Sequence, residues 1–324
     1  MSSGVSPWFL EVKILRVLLL LPLLLVFVGC GGAREDTEGR TVVRIAYLPI
    51  THSAAVMLLP DVSVADENFR VELVRFTSWP EVVEALRARR VDGASLLLEV
   101  AFRAFEMDPT LTAVSLSHRD GNVLVVDNHV DDFSGLIGQT VAIPHALSPH
   151  MTFLRLVLER EGIDIDDINL IEISPAEMPF TMAAGAISAY VVAEPWGSLA
   201  EVRGVGRILE TSNDILPGSI CCLFVFNSGL FDEHEGLFEW LLEHFSVAAE
   251  YAGASDEKVF DAFRRYTSFD QAIIEQSLVH TTFSDLVFSL EDFESATSNI
   301  LRFGIMEEVP DFFEFVACRG CGDE

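Results

Sequence analysis

Lysine is almost absent from this chain of 324 residues, in which only Lys13 and Lys258 occur. Lysine and arginine together number 21, against 50 aspartate and glutamate residues, and the formal net charge is −29. A chain this acidic is repelled by nucleic-acid phosphates and by anionic lipid headgroups. The composition therefore argues against nucleic-acid binding and against charge-driven membrane binding. Positive charge for an anionic ligand must come from arginine, histidine or backbone amides.

Cysteine is also scarce, with five residues in the chain. Cys221 and Cys222 lie in the apolar run ICCLFVF, where we expect buried free thiols. Cys318 and Cys321 form a Cys-Arg-Gly-Cys motif that predicts a small local disulfide in an oxidising compartment. A metal site at this second pair would need two more ligands, and the neighbouring sequence offers none. The fifth cysteine is Cys30.

An apolar segment occupies residues 17–28 (VLLLLPLLLVFV). As a helix it would rise about 18 Å, well short of the ~30 Å hydrocarbon core of a membrane. Lys13 and Arg16 precede it and a small residue follows it, a pattern typical of a cleavable secretory signal. We expect residues 1–29 to be a signal peptide, and an uncleaved N-terminal anchor is the alternative.

The four residues Phe27-Val28-Gly29-Cys30 resemble the lipobox of bacterial lipoproteins, with Phe27 in place of the usual leucine. The resemblance implies that Cys30 is lipidated and that the mature chain is anchored to a bacterial membrane, in the periplasm or at the cell surface. Contact with the membrane would be through the lipid anchor only. Residues 30–40 would form a glycine-rich, charged tether.

Beyond residue 40 the sequence alternates short apolar runs with helical segments, which predicts an α/β fold with parallel sheets. About 290 residues remain after the signal, enough for two lobes of ordinary size. After Cys222 the pattern is mostly helical. Strands are predicted at residues 44–48, 71–76, 93–98, 111–116, 123–126, 140–143, 169–173 and 189–192.

One unit occurs twice, at an offset of 96 residues. Residues 78–81 (SWPE) and 174–177 (SPAE) each read as a capping box that opens a helix. Each helix is followed by an apolar strand and then by a carboxylate, Glu99 in the first copy and Glu194 in the second. Two interpretations stay open: chance similarity between two α/β units, or two similar lobes that face each other across a cleft.

Four segments carry a resemblance to a known family: residues 44–51 (RIAYLPIT), 136–150 (LIGQTVAIPHALSPH), 183–196 (AAGAISAYVVAEPW) and 220–226 (ICCLFVF). In this order they resemble the nitrate/sulfonate/bicarbonate group of ABC-importer solute-binding proteins, which also includes thiamine-precursor-like members. The similarity spans about residues 41–300, and its most specific part is the Glu-Pro-Trp that ends the third segment.

The resemblance implies a type II periplasmic-binding fold, with two α/β lobes, a ligand cleft and a hinge of two crossing strands. Lobe one would comprise residues 41–127 and 226–324, and lobe two residues 128–225. A protein of this kind is a monomer that captures a small anionic or polar organic solute. It delivers the solute to an ABC permease with its ATPase, and it is neither an enzyme nor dependent on a cofactor.

In open α/β sheets a ligand binds beyond the carboxyl ends of the strands. This rule selects the candidate ligand-binding residues Thr51, His52, Trp79, Glu99, His145, Ser148, His150, Glu194 and Trp196. Ser148 and Pro149 suit the start of a helix, whose free amides favour an anion. Glu99 and Glu194 would instead repel a simple anion, which favours an organic ligand with NH or OH donors, or a bound cation.

Several of these residues have a second interpretation. His145 and His150 are either ligand contacts or exposed loop histidines, and Trp79 is either a pocket wall or a core residue. A metal held by both histidines would need His52 or Glu194 as a third ligand, and we predict no metal site. Arg119, after the fourth predicted strand, either supplies a positive group or forms a hinge salt bridge with Asp120 or another acid.

An enzyme on the same fold is the alternative function, acting on a pyrimidine-like or menaquinone-precursor-like substrate. Cys221, Cys222 and His145 are the residues that such an enzyme would use. The sequence shows no nucleophile with an adjacent general base and an orienting acid, and the export signal favours a binding protein.

Overall fold

The computed structural model describes residues 35–317. The predicted signal peptide, the lipidation site Cys30 and the pair Cys318 and Cys321 lie outside the described residues, so these expectations stay predictions. Within residues 35–317, no helix has both the length and the apolar character needed to cross a membrane.

The described chain alternates strands and helices, as the sequence pattern predicts. The strands are β1 (Thr41–Tyr47), β2 (Phe69–Arg75), β3 (Gly93–Leu97), β4 (Leu111–Asp120), β5 (Asn122–Val126), β6 (Thr140–Ile143), β7 (Asn169–Glu172), β8 (Ala189–Ala193), β9 (Arg207–Thr211), β10 (Ile220–Asn227) and β11 (Thr281–Thr282). The predicted strands all form, with β4 extended at its carboxyl end, while β9 and the two-residue strand β11 were not predicted.

The helices fall into two groups, those that connect the strands and those that follow β10. The first group is α1 (Ala54–Val62), α2 (Trp79–Arg87), α3 (Leu98–Met107), α4 (Pro149–Glu161), α5 (Met178–Ala183), α6 (Trp196–Val202) and α7 (Ser212–Ile215). The second group is α8 (Gly229–Glu233), α9 (Leu237–Gly253), α10 (Glu257–Tyr266), α11 (Gln271–Leu278), α12 (Leu290–Arg302) and α13 (Phe312–Phe315). The mostly helical character predicted beyond Cys222 is therefore confirmed.

The strands form two sheets with matching order. The first runs β2-β1-β3-β10-β4-β11 and the second runs β7-β6-β8-β5-β9. In each sheet the first three strands are parallel, and a strand that arrives from the other lobe, β10 or β5, pairs antiparallel beside them. The repeat at an offset of 96 residues therefore reflects two similar lobes, with β3 and β8 as its equivalent strands.

Helices cover both faces of the first sheet, so its central strands are buried on both sides. Along β10, Leu223 and Val225 pack into one apolar cluster, while Phe224 and Phe226 pack into the other. This division follows from the period of two in a strand. The Phe224 ring stacks on Phe245 of α9 with centroids 4.5 Å apart, which fixes a late helix on the first lobe.

The chain passes between the lobes twice, at Gly121 between β4 and β5 and at Ser219 before β10. We expected these crossings after Asp127 and after Val225, and both lie earlier in the chain. The cause is that β5 and the start of β10 are apolar strands, and an apolar run does not show which sheet it joins.

The two predicted capping boxes do not form. Ser78 is the N-cap of α2, but its side chain makes no capping hydrogen bond. Glu81 accepts hydrogen bonds instead from the backbone N and the Oγ1 of Thr77, at 3.3 and 3.1 Å. Ser174 precedes a 3₁₀ turn and likewise makes no capping bond. α2 begins at Trp79, as predicted, with Pro80 in its first turn, whereas α5 begins only at Met178, after the 3₁₀ turn Pro175–Glu177.

Candidate functional site

The cleft between the lobes lies at the carboxyl ends of β1 and β2 on one side and of β7 and β8 on the other. It contains a cavity of about 150 Å³. The residues that line it are Leu48, Pro49, Ile50, Arg75, Thr77, Trp79, His150, Ser174, Pro175, Ala176, Ala193, Trp196, Ser268 and Phe269. Both lobes contribute, as expected for a ligand that is enclosed between them.

Two tryptophans form apolar walls of this cavity. Trp79 is the first residue of α2 and is buried. Trp196 is the first residue of α6, directly after the cis peptide bond between Glu194 and Pro195. Its ring meets Phe269 edge to face, with centroids 4.9 Å apart. The two indoles offer flat, rigid surfaces to a bound solute.

His150 lines the cleft with a polar ring that makes no hydrogen bond to the described residues. It lies in the first turn of α4, after Pro149, and only 1% of its surface is exposed. Among the described residues, neither ring nitrogen has a hydrogen-bond partner. Burial lowers the pKa of His150 to about 4, so the ring is neutral at pH 7. It can offer one donor and one acceptor to a solute.

Glu99 lies at the start of α3 and is fully buried. Its Oε1 accepts a hydrogen bond from Thr152 Oγ1 of lobe two at 3.3 Å, while Oε2 has no partner within the described chain. Both residues line a smaller cavity of about 40 Å³. Burial raises the pKa of Glu99 to about 8, so at neutral pH this carboxyl is largely protonated and does not repel an anion.

Glu194 stabilises its own helix end. Its two carboxylate oxygens accept hydrogen bonds from the backbone N and the Oγ of Ser198, both at 2.9 Å. Burial raises the pKa of Glu194 to about 7. The backbone carbonyl of Glu194 accepts a hydrogen bond from the amide of Thr51 at 3.0 Å. Glu194 therefore links the two lobes through its backbone while its side chain holds the first turn of α6.

Three other predicted residues hold loops at the cleft edge. Thr51 Oγ1 forms a hydrogen bond with Ser277 Oγ at 2.7 Å. Ser148 is the N-cap of α4, but its Oγ donates to the carbonyl of His145 at 2.6 Å. His145 Nδ1 accepts a hydrogen bond from the amide of Leu147 at 2.9 Å. None of the three lies on the 150 Å³ cavity, and their role as direct ligand contacts stays a prediction.

His52 lies away from the main cavity, in a buried cluster with His118, Cys221 and Cys222. The potential ligand atoms of these four residues lie within 4.8 Å of one another. The thiols are free, as expected. Although burial opposes it, the contact with Cys222 and the nearby His52 hold the pKa of the Cys221 thiol well below its usual range. From this cluster the sequence predicts only His52 as a ligand-binding residue, while Cys221 and Cys222 are candidates only for the alternative enzyme.

Arg119 resolves one of the open alternatives. Its guanidinium forms a two-pronged contact with the carboxylate of Asp292, at 2.8 and 2.9 Å. It also donates to the carbonyls of Gly218 and Asp285. Asp120 accepts instead from Ser219 and Thr282. Arg119 therefore forms a salt bridge with Asp292 beside the lobe crossings, and its charge does not reach the cleft.

Sequence reasoning missed Arg75, which ends β2 and lines the cavity with an exposed guanidinium. The signal was available, because Arg75 directly precedes the loop that carries Trp79. Phe269 was also missed, since it comes from the helical part of the chain, far from the predicted strand ends.

The profile of the NMT1-like family matches residues 36–259. The chain belongs to this family. Over 280 residues it is 23% identical to a putative aliphatic sulfonates-binding protein of Bacillus subtilis, covering 82% of each protein. Over 294 residues it is 26% identical to the bicarbonate transport ATP-binding protein CmpC of Synechococcus elongatus, covering 82% of this chain and 44% of that protein. The chain spans less than half the length of CmpC and of the nitrate import ATP-binding protein NrtC of Synechocystis.

Solved structures show the same fold. A ligand-binding component of an ABC-type import system from Staphylococcus aureus, with zinc bound, superposes with a TM-score of 0.80 at 28% identity, covering 85% of this chain and 96% of that one. The periplasmic nitrate-binding protein NrtA from Synechocystis superposes with a TM-score of 0.71 at 16% identity, covering 82% of each chain. The expected type II periplasmic-binding fold, with two lobes and a cleft, is confirmed.

Proposed function

We propose that this protein captures a small anionic or polar organic solute between its lobes and delivers it to the permease of an ABC importer with its ATPase. The observation that carries the proposal is the 150 Å³ cavity at the strand ends, lined from both lobes. Closing the lobes around a solute buries it and creates the form that a permease recognises. The family membership and the import-system relatives support the same role.

The chemistry of the cavity favours a small organic anion. Its volume of about 150 Å³ is below the usual ~300–1,000 Å³ of pockets for drug-sized ligands. Arg75 supplies a positive charge, His150 a neutral donor and acceptor, and the two tryptophans apolar walls. A short alkanesulfonate has matching parts, an anionic head and an apolar tail. The description of the Bacillus subtilis relative as a putative aliphatic sulfonates-binding protein agrees with this choice.

The protein works outside the cytoplasm in this proposal, in the periplasm or at the cell surface, and Cys30 carries the lipid that keeps the monomer near its transporter. The alternative enzyme finds no support among the relatives, whose descriptions are those of binding proteins and transport components.

The test is a binding panel on the purified full-length protein in mild detergent. Methanesulfonate, MOPS, nitrate, bicarbonate and a thiamine-precursor pyrimidine are titrated separately, with thermal unfolding and small-angle X-ray scattering as readouts. A ligand at 100 times its Kd adds about 2.7 kcal/mol to the stability of the folded state. We expect a rise in Tm and a smaller radius of gyration with a sulfonate.

Matched variants separate cleft binding from general effects. Arg75→Ala is expected to weaken sulfonate binding, while Arg70→Ala, on the same strand β2 and with an exposed side chain, is expected to leave it unchanged. The absence of any Tm shift or compaction across the panel would overturn the proposal. Turnover of a bound solute would favour the enzyme.

A further inference from the structure

We propose that His52, His118, Cys221 and Cys222 form a tetrahedral binding site for a Zn²⁺ ion beside the lobe crossings. All four side chains are buried, with exposures of 0–1%, and their potential ligand atoms lie within 4.8 Å of one another. The site is separate from the solute cavity, which none of these residues lines. It goes beyond the proposed function and does not depend on it.

A β-bulge explains why two adjacent cysteines face the same point. Neighbouring residues in a regular strand point to opposite faces of the sheet. In β10, however, Ile220 pairs with Arg119 and Cys222 pairs with His118, so that Cys221 is an extra residue opposite the same partner. A bulge of this kind re-aims a side chain. It brings the two Sγ atoms to 3.7 Å from each other and places both next to His118.

The three distances among His52, Cys221 and Cys222 match the edges of a tetrahedron around zinc, and His118 lies within 4.8 Å of all three. Bonds of about 2.3 Å to sulfur and about 2.0–2.1 Å to nitrogen give edges of about 3.8 Å between two sulfurs and about 3.5 Å between nitrogen and sulfur. The Sγ atoms are 3.7 Å apart, and His52 Nδ1 lies 3.5 Å from Cys221 Sγ and 3.9 Å from Cys222 Sγ. Two buried free thiols have no need of an imidazole nitrogen this close to both sulfur atoms, whereas a shared metal ion does.

The histidines are held with a lone pair free for a metal. His52 Nε2 lies 2.9 Å from the carbonyl of Gly121, which can only accept, so Nε2 carries a proton and Nδ1, which faces the thiols, is the nitrogen that can bind a metal. His118 Nδ1 contacts the carbonyl of Arg119 at 3.3 Å, and its Nε2 is buried without a hydrogen-bond partner in the described chain. Backbone carbonyls orient metal-ligating histidines in this way.

The set of ligands selects the ion. Two imidazoles and two sulfurs suit Zn²⁺, whereas Ca²⁺ and Mg²⁺ require oxygen ligands. Two thiolates balance the charge of Zn²⁺, and a neutral centre is the form that a fully buried site tolerates best. With Cu⁺ the same four ligands would leave a net negative charge. Four protein ligands leave no open position, as in structural zinc sites.

A zinc ion at this position would hold three segments of lobe one together. His118 lies near the carboxyl end of β4, and Cys221 and Cys222 lie at the start of β10, so the site joins the two strands that lead into the lobe crossings. His52 adds the turn after β1, and its ring contacts His118 with centroids 3.8 Å apart. A bound ion would fix these segments of lobe one at the base of the hinge. The prediction of no metal site rests on His145 and His150 with His52 or Glu194 as a third ligand, and of these four residues only His52 lies in this cluster.

The first test uses wild-type full-length protein, stripped with a chelator under reducing conditions, with no solute present. Titration with Co²⁺ is expected to give one ion per chain, a sulfur-to-cobalt charge-transfer band and the intense visible absorption of a tetrahedral complex. Zn²⁺ is then expected to displace the Co²⁺. Absence of these bands, a disulfide between Cys221 and Cys222 in the isolated protein, or binding of Cu⁺ without Zn²⁺ would overturn the proposal.

The second test uses cysteine variants. Loss of a partner that only orients a ligand typically weakens metal affinity by about 10–100-fold, so Cys221→Ser, which removes a ligand, is expected to weaken Zn²⁺ binding by at least about 100-fold. The double variant Cys318→Ser and Cys321→Ser is the matched control, because it removes the other cysteine pair, and it is expected to retain wild-type affinity. Loss of binding in the control, or unchanged affinity in Cys221→Ser, would contradict the site. Neither test measures solute binding, so the zinc proposal can be confirmed or rejected even if the proposed solute-binding function is wrong.

Discussion

Thr152 Oγ1 of lobe two donates a hydrogen bond of 3.3 Å to Oε1 of Glu99 in lobe one. The contact joins the first turn of α4 to the first turn of α3, at the 40 Å³ cavity between the lobes. It leaves the other carboxyl oxygen, Oε2, buried without a partner in the described chain. The protonation of Glu99 is therefore linked to how the lobes meet.

The contribution of Glu99 to the stability of the protein is expected to fall as the pH rises from about 4.5 to about 8. Burial lowers the pKa values of His118 and His150 to about 4, so these two groups contribute in the opposite direction between about pH 4 and 6.5, and the fall is clearest between about pH 7 and 8. Burial raises the pKa of Glu99 from 4.5 to about 8, so between these values this group binds more protons in the folded protein than in the unfolded chain. The contribution of this group is present below the unfolded pKa and is lost as the pH rises through the folded pKa, with a slope of up to about 1.4 kcal/mol per pH unit. Urea unfolding at a series of pH values measures the slope.

The variant Glu99→Gln keeps the shape of the protonated carboxyl and cannot ionise. It is expected to remove the fall in stability between about pH 7 and 8 and to be more stable than the wild type at pH 8. Glu194, whose pKa is raised to about 7, adds a second contribution between about pH 4.5 and 7. Glu67→Gln, on an exposed loop, is the matched control. An unchanged slope in Glu99→Gln would contradict the assignment.

The tryptophans are expected to report solute binding. Trp79 and Trp196 line the cavity, whereas Trp240 lies on α9 and donates a hydrogen bond to Asp66 at 2.8 Å. A solute that displaces water from the two indoles changes their emission. Titration of wild-type protein with methanesulfonate is therefore expected to change its fluorescence, and Trp196→Phe is expected to reduce that change. Trp240→Phe is the control, and an equal reduction in both variants would place the solute elsewhere.

The apolar pattern predicted most of the strands because β3, β5 and β8 are short, fully buried runs. The pattern did not predict β9, whose five residues are all half-buried and which shows no clear alternation of apolar and polar residues. The apolar pattern also could not predict which of the two sheets each strand joins. The antiparallel insertion of β5 and β10 between strands from the rest of each lobe depends on contacts far apart in sequence.

The candidate site was predictable only where it follows the rule of strand ends. Trp79, His150 and Trp196 come after strands and line the cavity. The His and Cys cluster follows no such rule, because it depends on a bulge that places Cys221 and Cys222 together against His118. A bulge leaves no mark in the hydrophobic pattern, so adjacent cysteines in an apolar strand predict only buried free thiols.

Arg119 is expected to be a major source of stability at the lobe crossings. The side chain of Arg119 is 9% exposed and that of its partner Asp292 is 22% exposed, and breaking a buried ion pair by removing one partner costs about 3–5 kcal/mol. Because Asp292 retains some contact with water, we expect Arg119→Met to lower the free energy of unfolding by about 3 kcal/mol, at the lower end of that range. Chemical denaturation measures the loss.

The control for Arg119 is Arg203→Met, which breaks the exposed ion pair with Asp270 at a similar distance of 2.9 Å. An exposed pair contributes at most about 1 kcal/mol. Equal losses in Arg119→Met and Arg203→Met would show that burial at the crossing does not strengthen the contact with Asp292.

Gly121 is expected to tolerate no side chain, because two independent constraints meet at this first lobe crossing. Its φ of +85° is a conformation that L side chains rarely adopt, and a Cβ atom would lie 2.6 Å from His52 Nε2 and 2.8 Å from Thr281 Oγ1.

Gly138 has a similar φ of +74° with no atom within 4 Å of the added Cβ. Gly138→Ala therefore measures the backbone strain alone, about 1–3 kcal/mol. Gly121→Ala is expected to cost more than Gly138→Ala in chemical denaturation, since it also displaces the His52 ring from the carbonyl of Gly121. If the two variants lose equal stability, His52 is free to move and its hydrogen bond does not hold the ring in place.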